Sequence, residues 1–364
     1  MKKKLIIFMP SIEGGGVEKN LFLVSNYLSK KIDRVSLITI SIKYKKKFNN
    51  SIEFISLISS YWDNLSRRSK YFLSIFLLIK EILKNRNIVV FAFQANIYCI
   101  IVCKLFFIKV IARSNSAPTG WSRNILKRLI FKFCLNLADK VMVNSIQFKK
   151  DLKKQFNVNA TCIYNPLNYD EILKNSKKKS KKIFTNKRQL KILNIGRFTE
   201  QKDQMTFLKA LNQIKGIIKF EAVIVGRGKL HGDLLEYILK NDLSKFVKII
   251  NFTENPFSLL KQTELFILSS KYEGLPNVLL EALTLKKFII SSKCPTGPKE
   301  ILLNGKGGLL FNVGNHNQLA KKILFYKENK KKCLKMLRYA IQNLYRFDYQ
   351  ENLEKYLNLV NQIR

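Results

Sequence analysis

The chain has 364 residues, enough for two domains of about 150 residues each, and 47% of it is hydrophobic, which excludes a disordered chain. Lys and Arg number 66 against 25 Asp and Glu, a net charge of +41, and so basic a surface suits phosphates on nucleic acid, anionic lipid or nucleotides. An AT-rich codon bias explains part of the lysine excess, but explains the scarcity of acid less well.

The first apolar run, 5–9, stops at Pro10 and a glycine cluster. It is too short for a signal peptide, lacks a small-residue cleavage site, and predicts a strand. A helix over 17–30, a strand over 35–40, a polar stretch, a helix over 70–83 and a strand over 88–93 follow. Next come a short helix, a strand over 108–112, a helix over 122–137 and strands over 141–144 and 161–164. The apolar region 88–112 is interrupted by Gln94, Asn96, Lys104 and Lys109, so nothing reads as a bilayer span, which needs about 20 apolar residues. A lysine-rich polar stretch over 174–188 is the expected boundary. Beyond it, strands are expected over 191–195, 221–225, 247–250, 265–268 and 288–291, with helices between, and the last fifty residues are helical only. Such alternation predicts an α/β chain of two doubly wound parallel-sheet domains with a cleft between them. The expected divisions are 1–168, a basic linker at 169–189, a second domain at 190–345, and a terminal helix at 346–364 able to pack back on the first. Six scattered cysteines read as buried free thiols, and with only two histidines no metal site is expected.

Four segments carry chemistry. Gly14, Gly15 and Gly16, then Val17 and Glu18, follow the first strand and open a helix; such glycines admit a phosphate or simply make a tight turn. Gly196, Arg197 and Phe198, with Lys202 behind them, follow the first strand of the second half. At a carboxyl strand end, Arg197 and Lys202 stand either as two cations for a diphosphate or as solvated charges. Gly226 ends the next strand, where a ligand or packing asks for a glycine. The most specific run is Glu273, Gly274, Leu275, Pro276, Asn277 and, eight positions after the first Glu, Glu281. A strand, a Gly/Pro loop and a helix start there, so two carboxylates bracket a helix N-terminus where they can hold ribose and sugar hydroxyls. The helix dipole by itself explains Glu281 but not the set.

The first half also contains a window without acid, between Glu81 and Asp139, holding nine Lys or Arg together with Trp121. Within it Arg123, Lys127, Arg128 and Lys132 recur at near-helical spacing beside Ile125, Leu126, Leu129, Ile130 and Phe133. The pattern fits docking on anionic lipid, or a helix packed on its own sheet with a solvated basic face. Arg113, Ser114 and Asn115 end another strand, placed to meet an acceptor or to be surface residues.

The Glu273 to Glu281 run resembles the Glu-x7-Glu signature of glycosyltransferase family 4, formerly group 1. The Gly-Gly-Val-Glu, Gly-Arg-Phe…Lys and Pro-x-Gly-Pro-x-Glu-Ile segments match it in the expected order, over essentially the full chain. The resemblance implies the GT-B architecture, with the donor nucleotide held mainly by the C-terminal domain, and transfer with retention of configuration. By position, Arg197 and Lys202 resemble the diphosphate clamp and Glu281 the ribose ligand. Glu273 with Gly274 to Asn277 resembles the donor-sugar contacts, Gly15 and Gly16 facing the diphosphate from the other domain. Gly196 and Gly226 belong to the same donor-side turns, and Arg197, Lys202 and Glu273 are the expected catalytic set. There is no Asp-x-Asp, so neither metal nor cofactor is expected. The family's frequent His after the fourth strand is missing from 91–96, which leaves acceptor geometry to Gln94 or Asn96. The expected partners are a nucleotide sugar (UDP by family precedent), a lipid-linked or polysaccharide acceptor and the anionic inner face of the cytoplasmic membrane. Rival readings are a nucleic-acid binder, which leaves the two glutamates unexplained, and a nucleotide-sugar epimerase on the same fold.

Overall fold

A computed structural model describes residues 3–57, 60–94, 96–115, 124–180, 182–186 and 188–364. Trp121 and Arg123, named above, lie outside the described residues, as do 95 and 122 of the ranges given there and Lys181 and Lys187 of the basic stretch. The chain divides into two compact units, Met1–Pro166 with Tyr349–Arg364, and Leu167–Asp348.

The first unit is built on seven parallel strands: β1 (Lys4–Phe8), β2 (Val35–Ile38), β3 (Ile52–Ile55), β4 (Ile88–Ala92), β5 (Lys109–Ser114), β6 (Lys140–Val143) and β7 (Ala160–Cys162), in the order β3-β2-β1-β4-β5-β6-β7. β4 is apolar throughout, and β1 from Leu5 onward, because both faces of the sheet are covered there. Along β1, Ile6 and Phe8 join a core with Leu78 and Ile82 of the helix Arg67–Lys84 and Cys99 and Cys103 of the helix Asn96–Leu105. Leu5 and Ile7 point the other way, against Leu21 and Val24 of the helix Gly16–Leu28. Leu353, Tyr356 and Val360 of the helix Tyr349–Asn361 complete that second core. Each such side chain, fully buried, is worth about 1.5–3 kcal/mol.

The second unit has six parallel strands: β8 (Leu190–Ile195), β9 (Phe220–Gly226), β10 (Val247–Asn251), β11 (Leu265–Leu268), β12 (Phe288–Ser292) and β13 (Leu309–Phe311), in the order β10-β9-β8-β11-β12-β13. In both sheets the strand order reverses once, between β1 and β4 and between β8 and β11. In open α/β sheets, ligands bind beyond the carboxyl strand ends at such a reversal.

The structure departs from the sequence reading in four places. Two strands are additional, β3 inside the polar stretch and β13 after Gly307 and Gly308. Residues 169–176, placed in a linker, form the helix Tyr169–Ser176 of the second unit, started by Asn168, whose side chain accepts from the Glu171 N–H. The helix expected from 122 runs Ile125–Leu137, with Asn124 accepting from the Lys127 N–H as its cap. Among the described residues every cysteine is free, Cys162 alone being only half-buried, and no helix is long and apolar enough to cross a membrane.

Candidate functional site

Two loops leave the reversal point of the second sheet, 196–203 after β8 and 269–276 after β11. They are stitched to each other by backbone and side chain. The Lys271 N–H donates to the Gln201 carbonyl at 2.8 Å, and the Gln201 amide returns a bond to the Tyr272 carbonyl at 3.0 Å. Ser269 Oγ donates to the Lys202 carbonyl at 2.9 Å. A Cβ on Gly196 would lie 3.3 Å from Cγ of Lys202, so the glycine leaves room for the lysine stem to cross the turn.

That stem ends on Glu273. Lys202 Nζ stands 2.5 Å from Glu273 Oε1, which also accepts from Ser270 Oγ at 2.6 Å. The lysine side chain is 17% exposed and the glutamate 8%, so the pair sits largely out of water, where its attraction is weakly screened. Behind it, burial pushes the Cys294 thiol up to about 12, with the Glu273 charge adding to the effect, so the thiol stays protonated. The two cations expected at the strand end are therefore unlike. Arg197 is exposed, whereas Lys202 already has a carboxylate partner 71 positions away.

The loop carrying Glu273 is held from below by the segment after β12. Thr296 Oγ1 lies 2.7 Å from the Glu273 carbonyl and 3.0 Å from that of Gly274, and the Gly297 N–H donates to Gly274 O at 2.8 Å. A Cβ on Gly297 would lie 2.2 Å from that same oxygen, so only glycine fits. Thr296 holds φ at 76°, a region costly for a β-branched residue and kept only where its surroundings impose it. Leu275 and Pro276 are buried, and Asn277 opens the helix Asn277–Thr284, whose N-terminus has no side-chain cap. Glu281 lies on this helix just over one turn later, 5% exposed. The structure thus gathers Gly196, Lys202, Glu273 and Gly274 to Asn277 around one reversal point. Gly226 has a packing explanation, since a Cβ there would lie 1.9 Å from the Gly196 carbonyl.

Candidates in the first unit surround its own reversal point. Gly15 precedes the helix Gly16–Leu28, and a Cβ on it would lie 2.9 Å from Oε2 of Glu18, whose other oxygen accepts from the Glu13 N–H at 3.4 Å. The turn is thus filled by its own glutamate. Gln94 accepts from the Ser11 N–H at 3.1 Å and so ties the loop after β4 to the loop after β1. Asn96 donates to the Arg113 carbonyl at 2.7 Å. Arg113 corrects both sequence alternatives: it is neither a surface charge nor open to an acceptor, being 0% exposed. Its Nη2 donates to Asn165 Oδ1 at 3.0 Å and its guanidinium lies 4.9 Å from the centre of the Phe93 ring. Sequence reasoning did not single out Ser270, Thr296 or Cys294. The Pro-Thr-Gly-Pro segment signalled Thr296, but only as a motif without a mechanical role.

Residues 175–343 match the family model described as glycosyl transferases group 1. An uncharacterized glycosyltransferase of Methanocaldococcus jannaschii is 34% identical over 180 residues, 48% of this chain and 44% of that one, so the chain aligns with under half of that relative's length. The N-acetylgalactosamine-N,N'-diacetylbacillosaminyl-diphospho-undecaprenol 4-alpha-N-acetylgalactosaminyltransferase of Campylobacter jejuni is 27% identical over 332 residues, 87% of this chain and 88% of that one. Anabaena HepE, solved in complex with UDP and glucose, has a TM-score of 0.78 at 17% identity, covering 99% of each chain. The family match lies within the second unit, and the likeness to HepE extends the GT-B fold over the whole chain.

Proposed function

We propose that this chain is a retaining, metal-independent glycosyltransferase. It moves a hexose or N-acetylhexosamine from a nucleoside diphosphate sugar, preferably a UDP-sugar, to a lipid-linked or polysaccharide acceptor at the cytoplasmic face of the membrane. The observation that carries the reading is the Lys202–Glu273–Ser270 cluster at the reversal point of the second sheet, inside the region that matches the family. The lipid-linked acceptor follows the Campylobacter relative's name, and UDP follows the ligand of HepE.

In this reading the leaving diphosphate lies over the turn at Gly196, where Arg197 grips it bidentately and Lys202 adds a point charge. A preorganised donor of this kind is worth about 10²–10³ in rate. Glu273 and the backbone of Gly274 to Asn277 hold the sugar, and Glu281 holds the ribose. The acceptor hydroxyl attacks from the face the diphosphate leaves, passing its proton to a departing phosphate oxygen, so the C–O bond to phosphate breaks as the new glycosidic bond forms. Arg197 and Lys202 neutralise the charge of the leaving diphosphate in this reading, so it calls for no metal. A panel of nucleotide sugars with membrane-extracted acceptor, read by nucleoside diphosphate release, tests the proposal. Arg197→Ala and Glu281→Ala should each slow the best donor at least about tenfold; unchanged turnover in both sinks the site assignment.

A further inference from the structure

Three helices of the first unit, Arg67–Lys84, Asn96–Leu105 and Ile125–Leu137, pack side by side, the middle one touching both neighbours. Each leaves an apolar stripe uncovered. Ile125–Leu137 turns Cys134 and Leu135 inward, while Leu126, Leu129, Ile130 and Phe133 are 67%, 55%, 45% and 67% exposed. Their spacing of three and four stacks them on one face. Phe72 and Phe76 of the first helix, one turn apart, are 76% and 65% exposed. Tyr98 and Leu105 extend the surface on the middle helix, and Phe107 beyond it holds φ at 57° and is 91% exposed. Water-facing surfaces rarely keep so many large apolar side chains contiguous without a partner.

The charge around the stripe identifies the partner. Lys127, Arg128 and Lys132 are exposed on the same helix as the stripe, and Arg67, Arg68 and Lys80 on the first helix. The acids that bound this window, Glu81 and Asp139, are paired with Lys84 and Lys104. A second copy meeting this face symmetrically would set like charges against each other, and nucleic acid would leave the phenylalanines in water. We propose that this three-helix surface docks on an anionic lipid bilayer, the apolar stripe entering the headgroup boundary and the lysines and arginines meeting lipid phosphates. The proposed function supplies the reason a membrane is met; the surface itself is argued independently of any reaction.

The test is co-sedimentation of the full chain with vesicles of phosphatidylcholine alone or with roughly one-third phosphatidylglycerol, without any sugar substrate. Binding should be at least about tenfold stronger to the anionic vesicles and fall with salt. Leu129→Ser/Phe133→Ser and, on a different helix, Phe72→Ser/Phe76→Ser should each weaken it at least about tenfold without shifting the melting temperature, because the replaced side chains are exposed. Lys127→Gln/Arg128→Gln/Lys132→Gln should remove the preference for anionic lipid. Equal binding to neutral vesicles, no binding, or a dimer in light scattering that the serine variants split would overturn the proposal. Since vesicle binding is read without turnover, the proposed reaction can fail while docking stands, and the reverse.

Discussion

Glu273→Gln keeps the shape of the side chain and its bond from Ser270 but removes the charge that faces Lys202. The ammonium is then left with 17% of its side chain exposed and no counter-charge at 2.5 Å. Breaking a buried pair by removing one partner costs about 3–5 kcal/mol. Because Lys202 keeps a path to water, about 2–3 kcal/mol is the expected loss for this variant. Replacing both partners, Lys202→Met/Glu273→Gln, removes both buried charges and should return to within about 1 kcal/mol of the parent. Lys202→Met by itself strands the Glu273 carboxylate at a similar loss of about 2–3 kcal/mol, so the coupling between the sites is expected at about 3 kcal/mol or more. Urea midpoints for the four chains, at one pH and at low and high salt, measure it. The coupling should survive high salt, since a pair so little exposed is poorly screened. If the double variant is as unstable as the sum of the single losses, the ion pair contributes no coupling and the account of this cluster is wrong. The double variant should also lose sugar transfer despite its recovered stability, which separates the structural role of the pair from its proposed role toward the donor.

Two glycines offer a paired test of packing. Gly226→Ala puts a methyl 1.9 Å from the Gly196 carbonyl and should cost at least about 1–3 kcal/mol in urea unfolding. Gly232→Ala, inside the helix His231–Lys240 with nothing within 4 Å, should gain roughly 0.5–1 kcal/mol. Equal effects of the two would refute the close approach of β8 and β9. Cys294 gives a pH test. Its thiol in the fold is pushed up to about 12 from the usual 9.0, so the stability it contributes is complete below about 9 and is lost as pH rises from there toward 12. Between pH 8 and pH 10 the urea midpoint of the parent should fall more steeply than that of Cys294→Ala. Parallel slopes would mean that the thiol is not buried against Glu273.

What the sequence disclosed follows from which forces are local. β1, β4 and β11 were readable because both faces of each strand are buried, which writes an apolar run, and β8 because only Lys191 and Asn194 interrupt its own. β3 was not, because it lies at the sheet edge with Glu53 exposed and Phe54 only partly covered, and β13 has three residues. The loop and helix that bear Glu273 and Glu281 were legible as a Gly/Pro break before a helix. The partnership of Lys202 with Glu273 was not, since it joins strands that are adjacent only through the sheet order. Arg113 shows the same limit from the other side. A strand-end arginine reads as a surface charge until Phe93 and Asn165 are placed around it. The apolar stripe of Ile125–Leu137 was visible in its periodicity, but periodicity does not say whether the stripe faces the core or the outside.

The helix Tyr349–Asn361 belongs to the first unit although the whole second unit precedes it in the chain. During synthesis, the β1–β4 centre of the first sheet is made early, yet Leu353, Tyr356 and Val360, which cover one of its faces, emerge only after the second unit. At ribosomal speed the intervening stretch of about 180 residues takes roughly ten to forty seconds. For that interval the nascent chain carries an open apolar sheet face, a natural target for holding chaperones, and the first unit can close only when its final turn of helix leaves the exit tunnel.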